Sequence, residues 1–120
     1  MLKKTLVLGA SENPARYSYL AIEKLRKHHH PVVAIGLKKG KVNDVEIEIE
    51  KKPFEAVDTV TMYIGKQHQP EYYNYIVSLH PKRIIFNPGA ENEELLNLAK
   101  SNGIEALEAC TLVMLSTNQY

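Results

Sequence analysis

The chain of 120 residues has one cysteine, Cys110. No disulfide can close within it, and so sparse a use of thiols fits a reducing compartment, the cytoplasm by default. No apolar stretch approaches the roughly 20 residues that cross a bilayer. The basic start, Met1-Leu2-Lys3-Lys4, is followed by an apolar run, Thr5 to Ala10, too short for a signal-peptide core. Internal repeats and low-complexity segments are absent. The length allows one domain, expected over residues 1–120, and not two catalytic ones. Net charge is also scarce: 15 Lys and Arg against 14 Asp and Glu leave a formal +1, which gives no ground for nucleic acid or a membrane as partner.

What is present is a globular composition, 44% hydrophobic and 24% charged. Its charge is unevenly placed. Residues 1–41 hold nine Lys and Arg against Glu12 and Glu23, a balance of +7, while residues 42–120 hold six against twelve acids, a balance of −6. Such a split suggests either a local anion site or a solvated basic surface.

Short β-branched runs alternate with longer stretches of helical spacing, the signature of a parallel sheet with crossover helices. Thr5–Leu8 reads as a first strand buried on both faces, because its apolar residues are consecutive. A helix follows from about Ser18, its expected cap, to His28, with Leu20, Ala21, Leu25 and Ile22 offering an inner face. Val32–Ile35 is the second strand. Val45–Glu50 alternates strictly, as an edge strand with one wet face does. Thr59–Ile64, Arg83–Phe86 and Ile104–Leu107 read as the third, fourth and fifth core strands. Helices are expected over about 70–79 and 91–102, the latter stopped by Gly103, with a short closing helix from Thr111 to Leu115. The expectation is a doubly wound α/β domain, a five-stranded, mainly parallel sheet of order 3-2-1-4-5 with helices on both faces. Ligands of such sheets sit beyond the carboxyl ends of the strands, beside the first.

The unusual residues fall in those loops. The first, Gly9 to Ser18, combines Gly9 and Ala10 with hydroxyls at Ser11 and Ser18, Asn13, and a cation at Arg16, an arrangement suited to a phosphate. It lacks the dinucleotide fingerprint, since Pro14 stands where a helix would open; a turn that merely needs Gly and Asn remains the alternative. The second loop, Gly36 to Lys41, carries Lys38 and Lys39 where an NAD site would carry an acid. It suits a ribose phosphate, as on NADP or coenzyme A, or simple solvation. Tyr63 and Ile64 offer a surface for an adenine or an acyl arm. Asn87, Pro88 and Gly89 bring backbone near the switch point, unless they are only turn chemistry.

Taken together, the Gly9-Ala10-Ser11-x-Asn13-Pro14-x-Arg16 loop with Ser18-Tyr19, the Asn87-Pro88-Gly89-Ala90-Glu91-Asn92-Glu93 segment, and Gly103-Ile104-Glu105 leading to Glu108-Ala109-Cys110-Thr111 resemble the stand-alone bacterial CoA-binding domain family. The resemblance runs from about Lys4 to Leu115. It implies a Rossmann-like domain similar to the CoA-binding part of the succinyl-CoA synthetase alpha subunit, with coenzyme A or an acyl-CoA as ligand. It further implies phosphate contacts from Gly9, Ala10, Ser11, Asn13 and Arg16, with Ser18 and Tyr19 at the helix start. Lys38 and Lys39 would lie near the adenosine phosphates, and Asn87, Pro88 and Gly89 on the far wall. The chain departs from the family pattern at Tyr63-Ile64, where many members carry an arginine, at Gly36-Leu37, where many have Asn-Pro, and at Ile84-Ile85-Phe86-Asn87, where many have a Trp-containing strand ending in Gln.

No nucleophile, base and orienting group stand in a recognisable pattern, so a non-catalytic binding role is expected. His28-His29-His30 point in different directions at a helix end without a partner acid, so no metal site is expected. Cys110 reads as a buried structural thiol. An NADP-dependent oxidoreductase or nucleotide-binding domain, and an interaction module with a vestigial pocket, stay open as alternatives. So does a homo-oligomer, for which Tyr72, Tyr73 and Tyr75 would supply a surface.

Overall fold

A computed structural model describes residues 1–120. The consecutive apolar residues at the start form β1 (Thr5–Ala10), and its alternate side chains part to two cores. Leu6 and Leu8 join Val60, Met62, Ile84 and Phe86 on one face, whereas Val7 joins Ala34 and Ile47 on the other. Helix α1 (Tyr17–Lys27) is followed by β2 (Val32–Gly36), a short hairpin of β3 (Gly40–Val42) and β4 (Val45–Glu48), then β5 (Thr59–Met62). Two 3-10 turns lead into α2 (Tyr73–Leu79), and β6 (Arg83–Phe86), α3 (Glu93–Ser101), β7 (Glu105–Glu108) and α4 (Thr111–Ser116) complete the chain. The layers are helix on sheet on helix. Ile22 and Leu25 of α1 and Leu115 of α4 cover one face, and Ile76 of α2 with Leu95 and Ala99 of α3 cover the other.

The sheet has seven strands in the order β3-β4-β2-β1-β5-β6-β7, all parallel except β3. The expected five-stranded order 3-2-1-4-5 is corrected. Thr59–Met62 lies on the far side of β1 from β2, because the alternating segment Val45–Glu48 takes the open edge of β2, pairing Ala34 with Ile47. That segment follows β2 after a hairpin of a few residues, so it reaches the free edge with little loop to close. Its wet face is as alternation predicts as far as Glu48, with Val45 and Ile47 buried and Glu46 exposed, but the strand stops there, leaving Ile49 exposed, and β3 rather than β4 takes the sheet edge expected for it.

Helix α1 starts one residue early. Arg16, with extended backbone, is its N-cap, and no side chain caps it; Ser18 is inside the helix and buried. Ser18, Ala21, Ile22 and Leu25, spaced i, i+3, i+4 and i+7, face inward, which leaves Leu20 40% exposed. Gly103, after α3, has φ +73, the left-handed stop that glycine supplies at no steric cost.

Candidate functional site

All the parallel strands end on the same edge, so the segments after Ala10, Gly36, Met62 and Phe86 converge. Between them lies a cleft of about 940 Å³. Eleven residues singled out in the sequence line it: Gly9, Ala10, Ser11, Asn13, Arg16, Ser18, Lys38, Lys39, Tyr63, Pro88 and Gly89. Tyr19 and Asn87 do not. Tyr19 packs against the core on the α1 and α4 side, and Asn87 is 2% exposed beneath the loops.

The first loop braces itself. Ser11 Oγ accepts the Asn13 N–H at 3.0 Å, Asn13 Oδ1 accepts the Ala15 N–H at 3.0 Å, and the Arg16 N–H reaches the Asn13 carbonyl at 3.0 Å. The Ser11 hydroxyl hydrogen stays available to donate. Gly9 stands at an irregularity in the β1 ladder with φ +91, and a Cβ there would be 2.6 Å from the Tyr63 carbonyl oxygen. Only glycine lets the first and third loops approach so closely.

The cations of the cleft differ in how far they are claimed. Arg16 and Lys38 are exposed and make no ion pair. Lys39 Nζ lies 3.8 Å from a Glu48 carboxylate oxygen that Lys52 holds more closely, at 3.1 Å. Surface pairs of that length hold weakly. The opposite wall carries Ile64, Tyr72 and Ala90 with His68 and Glu71.

Two buried amides fix the walls. The Asn87 amide donates to Thr61 Oγ1 at 2.7 Å and the Met62 carbonyl at 2.9 Å, while its oxygen accepts the Thr111 N–H at 2.9 Å. That ties β5, β6 and α4 together. Gln69, fully buried, donates to the carbonyls of Ile64 and Ala90 at 2.9 and 2.8 Å and accepts from Asn92, joining the third loop to the fourth. Gly89, φ +94, turns the fourth loop with open space where a Cβ would be.

Tyr63 is not the flat open surface its place in the sequence suggests. Its ring packs against the core on the α1 and α4 side, and its hydroxyl is sealed without a hydrogen bond. Burial foremost, then the neighbouring Cys110, pushes its pKa up, so the phenol stays protonated. Cys110 is half-buried, a correction to the expected sealed thiol, and does not line the cleft. The three consecutive histidines diverge: His28 is partly buried, His29 exposed, and His30 buried with Nδ1 accepting the Lys3 N–H at 2.9 Å. No helix is long and apolar enough to cross a membrane.

Sequence reading missed Glu12, Tyr17, Glu71 and Tyr72, all of which line the cleft. Glu71 and Tyr72 belong to the 3-10 turn ahead of α2, and nothing in the local pattern marks them as facing a ligand.

A doubly wound sheet with a cleft at the carboxyl ends beside β1 defines a Rossmann-like α/β domain of the kind that takes ligands at its switch point. A family model described as "CoA binding domain" matches residues 3–116, and the chain belongs to that family. A crystal structure of an uncharacterized protein is 52% identical, with TM-score 0.97, covering 100% of this chain and 99% of that one. A hypothetical protein from Pyrococcus horikoshii OT3 shares the fold at 19% identity and TM-score 0.86, covering 97% of this chain and 83% of that one. So does a dinucleotide forming acetyl-coenzyme A synthetase 1 from Ca. Korarchaeum cryptofilum in complex with phosphate and ADP, at 17% identity and TM-score 0.74. There the match covers 89% of this chain and 25% of that one. Comparison with curated proteins gave no match.

Proposed function

We propose that this domain binds coenzyme A or an acyl-CoA in the cleft at the carboxyl ends of its strands, and that it does so as a binding protein without chemistry of its own. The observation that carries the reading is the pair of unclaimed cations, Arg16 and Lys38, brought by two different loops to one cleft of about 940 Å³. Both stand exposed without a carboxylate partner, so both are free to pair with the phosphates of a polyanionic ligand. Family membership supplies the ligand class.

In this reading backbone N–H groups of the first loop other than that of Asn13, which Ser11 Oγ already accepts, and the Ser11 hydroxyl donate to a diphosphate, and Arg16 pairs with it. Lys38 and Lys39 hold the phosphate on the ribose. Ile64, Tyr72 and Ala90 give the pantetheine arm an apolar wall. Support for a non-catalytic role comes from the hydrogen bonds. Neither Ser11 nor Ser18 is bonded to a base, and the Tyr63 hydroxyl is held protonated and sealed.

Native mass spectrometry of freshly purified protein tests the reading, since a co-purifying mass equal to CoA or an acyl-CoA is expected. Thermal shift against CoA, acetyl-CoA, NADP and ATP then sorts the alternatives, because a ligand that binds only the native state raises apparent stability by mass action. A shift with NADP alone favours an oxidoreductase cofactor domain. No shift with any of them favours an interaction module on a vestigial cleft.

A further inference from the structure

The two cation-bearing loops are held very differently. The first is braced by its own bonds through Ser11, Asn13 and Ala15. The second is not: no backbone hydrogen bond outside the helices and strands involves Leu37, Lys38 or Lys39. Its ends are anchored by β2 and by the pairing of β3 with β4, and Glu12 ties it to the first loop across the cleft mouth. Glu12 Oε2 accepts the Lys41 N–H at 2.9 Å, two residues beyond Lys39. Its carboxyl group fills the space where a side chain on residue 40 would be: a Cβ on Gly40 would lie 2.3 Å from Glu12 Cδ and 2.6 Å from Oε1.

A carboxylate is an odd choice at the mouth of a site for polyanions, where its charge opposes the ligand. We infer that Glu12 is a positioning residue, a latch seated on Gly40 that fixes Lys38 and Lys39 against the first loop and thereby sets the preference for a ligand with a phosphate on its ribose. The inference rests on the CoA-binding reading of the cleft. The latch gives geometry and its charge takes some affinity away, and the two effects are separable by substitution. Glu12→Gln keeps an acceptor for the Lys41 N–H and removes the charge. Glu12→Ala removes both. Gly40→Ala keeps the charge and evicts the carboxyl group, and because the group displaced is the end of a flexible side chain, the backbone has no reason to move.

Calorimetric titration of these variants with CoA and dephospho-CoA tests the latch. Glu12→Gln should bind CoA as tightly as wild type or tighter. Glu12→Ala and Gly40→Ala should bind CoA about three- to tenfold more weakly than Glu12→Gln, the worth of one partly exposed neutral hydrogen bond. Dephospho-CoA should change less than about twofold, because it does not use the lysines that the latch holds. The double variant Glu12→Ala/Gly40→Ala should be no worse than either single one, since both remove the same contact. Equal CoA affinity in Glu12→Ala and Glu12→Gln, an equal loss for both ligands, or additive losses would each overturn the inference. Hydrogen exchange at the Lys41 amide reads the latch without ligand. It should be slow in wild type and Glu12→Gln and fast in the other two, and equal exchange in all four overturns the latch. If wild type binds neither nucleotide while the exchange pattern holds, the reading of the cleft fails, and with it the role given to the lysines.

Discussion

Replacing Asn87 by alanine removes three hydrogen bonds of 2.7 to 2.9 Å from a site 2% exposed. Each is worth about 1 kcal/mol net, and the truncation also leaves the Thr111 N–H and the Met62 carbonyl short of a partner where water reaches poorly. The combined loss is about 3–5 kcal/mol, a large part of the stability of a domain of this size. At about 4 °C per kcal/mol for a chain of this length, Tm should fall by roughly 12–20 °C. Thermal unfolding followed by circular dichroism measures it, and urea unfolding should show a lower midpoint at an unchanged slope. Asn87→Asp separates the two halves of the amide. It keeps an acceptor for Thr111 but loses both donors and buries a charge, so it should be no more stable than the alanine variant. A fall in Tm under about 4 °C would refute the reasoning, for it would mean that these bonds contribute almost nothing net.

Other perturbations have equally definite outcomes. Gly9→Ala places a Cβ 2.6 Å from a backbone oxygen at φ +91, and should cost about 2 kcal/mol or more in urea unfolding, where a neutral result would place the Gly9–Tyr63 approach in error. Arg16→Ala should weaken CoA binding by about tenfold at low salt in calorimetry, and by less at high salt, whereas an unchanged affinity would remove Arg16 from the site. His30 carries a pKa held below the ordinary histidine value, first by burial and then by Lys3, His28, the N-terminal amine and Arg83. The unfolded chain therefore takes up the proton first. Stability is complete above about pH 6.5 and falls as pH drops from there toward the folded value, with a slope of at most about 1.4 kcal/mol per pH unit. His30→Gln should abolish that slope in unfolding titrations from pH 5 to 8, and a slope that persists would assign it elsewhere.

The sequence made the strands legible because each one carries its own mark. Consecutive apolar residues in Thr5–Leu8 predict burial on both faces correctly, and strict alternation in Val45–Glu50 does so as far as Ile47, failing at Ile49 beyond the end of β4. The order of the strands was not legible in the same way, since the apolar pattern of a segment does not say which neighbour it pairs with, and the edge beside β2 goes to Val45–Glu48, pairing Ala34 with Ile47. The α1 register slipped for a related reason. Leu20 and Ile22 are equally apolar in composition, and only the sheet decides that Ile22 goes inward. At the site, the glycines and cations of the first two loops were recognisable because phosphate chemistry demands those residue types. The amides were not. Gln69 reads as an ordinary loop residue, and Asn87, expected on the far wall of the cleft, is buried instead; both are placed by bonds to distant carbonyls and hydroxyls. Glu12 was hidden likewise, as an acid inside a basic segment whose partner is a backbone N–H 29 residues away.

The central claim is that the cleft binds coenzyme A through cations from two loops. Calorimetric titration of the wild-type chain with CoA, with dephospho-CoA as the paired ligand, tests it most directly. Saturable binding of CoA at one site per chain is expected, with dephospho-CoA about tenfold weaker or worse for want of the phosphate that Lys38 and Lys39 hold. No heat with CoA, or equal affinity for the two ligands, would contradict it.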